Sequence, residues 1–212
     1  MKKTALLFDL DGTLTDSKEG IVKCVVESLK PIGITAAPAS LLGFIGPPLT
    51  WSYPHYFGLN EEETEQAVAR FQTRYATVGK FENRVYAGIP ETLAALCARG
   101  YRLAVATSKP HRFAKEIIAH FDLARYFEAV QGADMEEHSC KADVIRLVLA
   151  EMGVSPDDAV MIGDRRYDME GAGQTGVDAV GVLWGYGSRE ELTASGAAEV
   201  LSTPEELLTL FP

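Results

Sequence analysis

The 212-residue chain is 47% hydrophobic and 24% charged, a globular composition that excludes a disordered or fibrous protein. Its formal net charge of -10, with no basic stripe to offset it, argues against a nucleic-acid binder. No apolar run approaches the roughly 20 residues that cross a bilayer, so no membrane partner is expected.

Met1-Lys2-Lys3 and the apolar residues after it imitate a signal peptide, but Asp9 and Asp11 interrupt the run. Residues 4–10 are therefore read as a buried strand ending at Asp9 and broken by Gly12, and the protein as cytoplasmic. Asp16 or Ser17 caps a helix whose apolar face is Ile21, Val22, Val25, Val26 and Leu29, stopped by Pro31 and Gly33. Residues 44–49 read as a loop. Asn60-Glu-Glu-Glu63 opens a capped helix to about Val78, its acidic run complementing the helix dipole.

From Gly88 the pattern alternates. Helix is expected at 90–99, strand at 101–106, helix at 110–121 and strand at 128–131. Helix at 141–152, strand at 158–162, helix to about Thr175 and strand at 178–183 follow, and Thr203 opens a last capped helix. Such alternation implies an α/β fold with a parallel sheet covered on both faces. Residues 16–83 are wholly helical and read as an inserted cap, leaving 1–15 and 84–212 as the core. Phe44, Ile45, Trp51, Tyr53 and Tyr56 either line a cleft in that cap or form its own core.

Cys24, Cys97 and Cys140 have no CxxC spacing and read as reduced thiols. His55, His111, His120 and His138 lack zinc spacing and are given no metal role.

Ligands of open α/β sheets bind at the carboxyl ends of the strands. Asp9, Asp11, Gly12 and Thr13 follow the first strand; Thr107, Ser108 and Lys109 follow the second. Gly163 and Asp164 follow the fourth, with Asp168 four residues on, and Lys141 opens the preceding helix. Four carboxylates in one place repel one another unless a hard cation joins them. Mg²⁺ suits them, with Asp9 and Asp164 offering carboxylate oxygens and Asp11 a main-chain carbonyl. An ionised Asp9 can then attack phosphorus, and Asp11 can protonate the leaving alkoxide and later activate water. Gly12 offers its amide to the phosphate, Thr107 and Ser108 offer hydrogen bonds, and Lys141 offers charge. Lys109 is read as a surface lysine.

Asp9-Leu-Asp11-Gly-Thr-Leu, then Thr107, Lys141 and Gly163-Asp164 with Asp168, resembles the haloacid dehalogenase-like hydrolase superfamily over nearly the whole chain. The resemblance implies a Rossmann-like core with a helical cap, nucleophilic Asp9, acid/base Asp11 and Mg²⁺, with Asp164 a metal ligand and Asp168 either a ligand or a residue that holds one in place. Residues 45–49, 163–165 and 183–188 are similar to phosphoglycolate phosphatase-like members, some of them described as 5'-nucleotidases. The chain departs from the pattern at Ser108, where asparagine is frequent, and at Arg165, where serine is frequent. The implied substrate is a small phosphorylated metabolite and the implied state a monomer or homodimer.

Gly171, Gly173 and Gly176 fit G-x-G-x-x-G, but they stand late in a helix, which argues against a dinucleotide site. A dehalogenase needs neither the acid at Asp11 nor the metal. A phosphomutase of the β-phosphoglucomutase type, whose members tend to carry Val where Thr13 stands, is the alternative within the family. A phosphorelay receiver is shorter and has no cap. A non-catalytic phosphate-binding regulator remains the alternative from another class.

Overall fold

The computed structural model describes residues 3–134 and 139–212; His138 lies outside them. The chain divides into two units, Met1–Asp16 with Val85–Pro212, and Ser17–Arg84. Among the described residues, no helix is long and apolar enough to cross a membrane.

Strand β1 (Ala5–Phe8) is buried at every position. It stops at Phe8, just short of the expected end at Asp9, and the chain turns at Leu10, whose carbonyl accepts from the amides of Leu14 and Thr15.

The unit 17–84 is helical. Its helices are α1 (Lys18–Leu29), α2 (Leu49–Phe57) and α3 (Glu61–Thr77). α1 buries Ile21, Val22, Cys24, Val25 and Leu29, and a 3-10 turn ending at left-handed Gly33 follows it. α2 was hidden by its prolines: Pro48 stands at its N-cap and Pro54 lies inside it, where a proline normally breaks a helix. α3 opens with a full capping box, Asn60 Oδ1 accepting from the Glu63 amide and Glu63 Oε2 accepting from the Asn60 amide, both at 3.0 Å. Phe44, Ile45 and Tyr53 belong to the core of this unit, whereas Trp51 and Tyr56 are 46% and 42% exposed.

The second unit continues through α4 (Ile89–Ala98), β2 (Arg102–Pro110), α5 (His111–His120), β3 (Ala129–Ala133) and α6 (Lys141–Met152). It ends with β4 (Ala159–Gly163), α7 (Arg166–Thr175), β5 (Asp178–Val182), α8 (Arg189–Ala194), β6 (Glu199–Leu201) and α9 (Leu207–Leu210). The strands form one parallel sheet in the order β3-β2-β1-β4-β5-β6. This is the Rossmann-like α/β core that alternation and resemblance implied. β6 and α8 were not expected: β6 has three residues, none fully buried, and carries little apolar signal.

Side-chain alternation splits the core between the faces. Leu6, Phe8, Leu103, Val105, Val160 and Ile162 pack with Leu93, Ile117 and Leu207 on one side. Ala5, Leu7, Ala104, Ala106, Ala129 and Ala159 pack with Val144, Ile145 and Val148 of α6 on the other. Alanine dominates the second face, so α6 lies close to the sheet and its first residue reaches the strand ends.

Replacing Asn60 by Ala removes the side-chain half of the capping box and leaves the main-chain amide of residue 60 to donate to Glu63. The expected loss is about 1 kcal/mol, seen as a Tm lower by about 2–4 °C in a thermal melt followed by circular dichroism. An unchanged Tm would show that the cap carries no stability.

Candidate active site

β1 lies between β2 and β4, where strand order reverses, and the carboxyl ends of strands at such a switch point form a crevice. Asp9 leaves β1 there with its amide still bonded to the Ile162 carbonyl of β4 at 2.9 Å. Asp164 follows β4, and Asp168 lies in the first turn of α7. One carboxylate oxygen from each of Asp9, Asp164 and Asp168 lies within 4.8 Å of the others. Their exposures are 8%, 0% and 1%, so water does little to screen them.

One ammonium answers two of the three. Lys141 Nζ lies 2.7 Å from Asp9 Oδ1 and 2.8 Å from Asp168 Oδ1, and donates to the Ala106 carbonyl at 3.0 Å. Burial opposes its charge, but Asp168 and Asp9 outweigh burial and hold it above the ordinary lysine value. The unfavourable helix dipole at this position is offset in the same way. Gly171 of α7 makes room for it, since a Cβ there would come 2.7 Å from Lys141 Cγ.

Among the described residues no cation pairs directly with Asp164, and Arg165 offsets its charge only weakly. Burial, then the charges of Asp168 and Asp9, push its carboxyl well above the usual range. Burial likewise raises Asp168, to about 6, with Lys141 pulling the other way. Asp164 Oδ1 accepts from the Thr13 hydroxyl at 3.2 Å and Oδ2 from the Tyr186 amide at 2.8 Å. Three buried carboxylates facing one ammonium, all offering hard oxygens and no sulfur or imidazole, fit a hard divalent cation.

Two expectations are corrected. Lys109 is not a surface lysine: its Nζ lies 2.7 Å from Asp11 Oδ2, and the two side chains are 7% and 13% exposed. Gly12 does not hold its amide free for phosphate, because that amide donates to the Thr15 carbonyl at 2.8 Å. Gly12 serves close approach instead: its φ is +92°, and a Cβ there would lie 2.2 Å from Asp164 Oδ2.

Thr107 is buried. Its hydroxyl oxygen accepts from the Lys109 amide at 3.2 Å, which leaves the O–H to donate. Ser108 is half-buried beside it. Asp16 is not the helix cap, since Ser17 holds that position without a side-chain bond; Asp16 Oδ1 accepts from the Tyr186 hydroxyl at 2.9 Å. Burial raises the Tyr186 phenol and keeps it a donor. Trp184 Nε1 donates to the Thr13 carbonyl at 2.9 Å. A Cβ on Gly185 would come 2.4 Å from that of Asp164. Trp184, Gly185 and Tyr186 follow β5, and the sequence pattern gives the carboxyl end of that strand no charged residue to mark it as part of the site.

Residues 6–182 match the haloacid dehalogenase-like hydrolase family. The chain belongs to that family. This haloacid dehalogenase-like hydrolase is 44% identical over 191 residues to a 5'-nucleotidase of Pseudomonas aeruginosa, over 89% of this chain and 86% of the relative. It is 37% identical over 206 residues to the tyrosine-protein kinase PtkA of Mycobacterium tuberculosis, over 95% of this chain and 70% of the relative. A solved structure described as a predicted phosphatase from Clostridium acetobutylicum is 42% identical, with a TM-score of 0.94 over 99% of this chain and 98% of that one. Within its family the hydrolase is a phosphatase, acting on phosphoric monoesters.

Asp164→Asn removes one clustered charge while keeping its bonds: the amide oxygen accepts from Tyr186, and the NH₂ donates to Thr13. A carboxyl raised in the folded state destabilises that state wherever it is ionised. The metal-free variant, measured with chelator at pH 7.5, should therefore melt about 2–4 °C higher, as ~1 kcal/mol does in a chain of this size. Added Mg²⁺ should raise the wild-type Tm and not that of the variant. A metal-free Tm below wild type would show that the clustered charges do not strain the site.

Proposed function

We propose that this phosphatase is a Mg²⁺-dependent cytoplasmic enzyme that removes phosphate from a small phosphomonoester through a phosphorylated Asp9. The observation that carries the reading is the buried set Asp9, Asp164 and Asp168 closed by Lys141. Asp9, Asp164 and Asp168, with the main-chain carbonyl of Asp11, would hold the ion. When bound it supplies the positive charge that the cluster lacks and that a phosphate dianion needs.

In the first step the Asp9 carboxylate attacks phosphorus and the bond to the leaving alkoxide breaks. Asp11 gives that oxygen a proton from Oδ1, the atom that has no hydrogen-bond partner among the described residues. In the second step water attacks the phosphorus of phospho-Asp9. Asp11 takes the proton of the water, and inorganic phosphate leaves as the Asp9 carboxylate is restored. Lys141, cationic throughout, balances the charge at Asp9. Thr107, with its free O–H, and Ser108 bind phosphate oxygens.

The helical unit acts as the cap that the sequence resemblance implies. The 44% identity to a 5'-nucleotidase favours a nucleoside 5'-monophosphate over phosphoglycolate, the other substrate implied by the sequence resemblance.

Phosphate release from nucleoside 5'-monophosphates, phosphoglycolate and sugar phosphates, with Mg²⁺ and with chelator, tests this. Release is expected with Mg²⁺, strongest from nucleotides, and absent with chelator. Asp9→Asn should lower it by on the order of 10³-fold or more with the circular dichroism spectrum unchanged. Turnover retained in that variant would rule out the mechanism.

A further inference from the structure

The geometry points to Lys109 as the positioning residue of Asp11, holding Oδ2 so that Oδ1 is the atom presented to the reacting oxygen. This rests on the reading of Asp11 as acid and base. The Lys109 ammonium lies 2.7 Å from Asp11 Oδ2, with both side chains largely buried. Asp11 Oδ1 is buried too, but it has no hydrogen-bond partner among the described residues. A buried acceptor without a partner is costly, and a proton shared with a substrate oxygen relieves the cost.

A carboxylate turns about χ2 with little resistance, because that torsion is broad. A charge-assisted bond to one oxygen removes the freedom and makes the two oxygens different. Lys109 is itself anchored. It stands at the end of β2, where the register against β3 shifts between Thr107 and Pro110, and its amide is bonded to Thr107 Oγ1. The site's two buried lysines thus divide the carboxylates between them. Lys141 serves Asp9 and Asp168; Lys109 serves Asp11.

The leaving group separates this role from a general one. An alkoxide needs a proton as it departs, and p-nitrophenolate does not. The value of kcat/KM counts only the steps through departure of the first product, so later hydrolysis of phospho-Asp9 does not enter. The measurement is kcat/KM for a nucleoside 5'-monophosphate and for p-nitrophenyl phosphate in wild type, Lys109→Met, Asp11→Asn and the double variant.

Lys109→Met is expected to lower the ratio of nucleotide to p-nitrophenyl phosphate kcat/KM by about tenfold or more. Asp11→Asn should lower it at least as far. In the Asp11→Asn background, Lys109→Met should cost less than about threefold, because the two act as one unit. That background has no carboxylate at position 11, so the comparison stands even where Lys109→Met alone does not fold. A ratio lowered by Asp11→Asn but not by Lys109→Met overturns the proposal and leaves the role of Asp11 intact. A ratio unmoved by Asp11→Asn removes the acid/base reading, and the proposal with it. An equal loss on both substrates that persists in the Asp11→Asn background also overturns the proposal, and would make Lys109 a direct phosphate contact.

Discussion

Three carboxylates held together out of water repel one another, and the rest of the catalytic unit is arranged around that repulsion. Lys141 neutralises part of it, and a hard cation is the natural remainder. The backbone has to come close as well. Glycines at 12, 163 and 185 stand where any side chain would collide with Asp164 or Asp168. The crowding that makes the cluster costly also keeps it dry, so each charge acts at close to full strength.

The sheet supplies this crowding without special loops. Parallel strands end side by side, so residues far apart in sequence meet at one edge. β1 is central and delivers Asp9 between the ends of β2 and β4. The alanine-rich face of the sheet packs against α6, and the first residue of that helix, Lys141, donates to the Ala106 carbonyl. Packing on one face and electrostatics at the edge thus meet in one helix.

Much of this was legible because it follows from periodicity and from position. The strands at Ala5, Ala159 and Asp178 announce themselves by apolar runs, and the polar residue after each strand must lie at the edge. What periodicity does not carry was missed. Lys109 looked like any lysine before a proline, since the sequence does not show that it lies opposite Asp11. Gly12 was assigned by chain flexibility alone, and only the turn geometry shows its amide bonded to Thr15. Tyr186 acts through its backbone amide as much as its side chain, and a main-chain donor leaves no trace in residue type. α2 was masked because Pro54 outweighs its neighbours in any propensity reading.

The chain leaves the sheet-bearing unit just after Thr15 and re-enters it at Val85, and those two residues pair directly as an antiparallel bridge. The Tyr86 amide completes the seam by bonding to the Leu14 carbonyl at 3.1 Å. Residues paired in this way stand about 5 Å apart, a gap that an ordinary hairpin turn spans. The helical segment therefore begins and ends at one paired seam of the sheet-bearing unit. A short turn from Thr15 to Val85 could stand in for the whole helical segment, with the strands keeping their register and the aspartates their places.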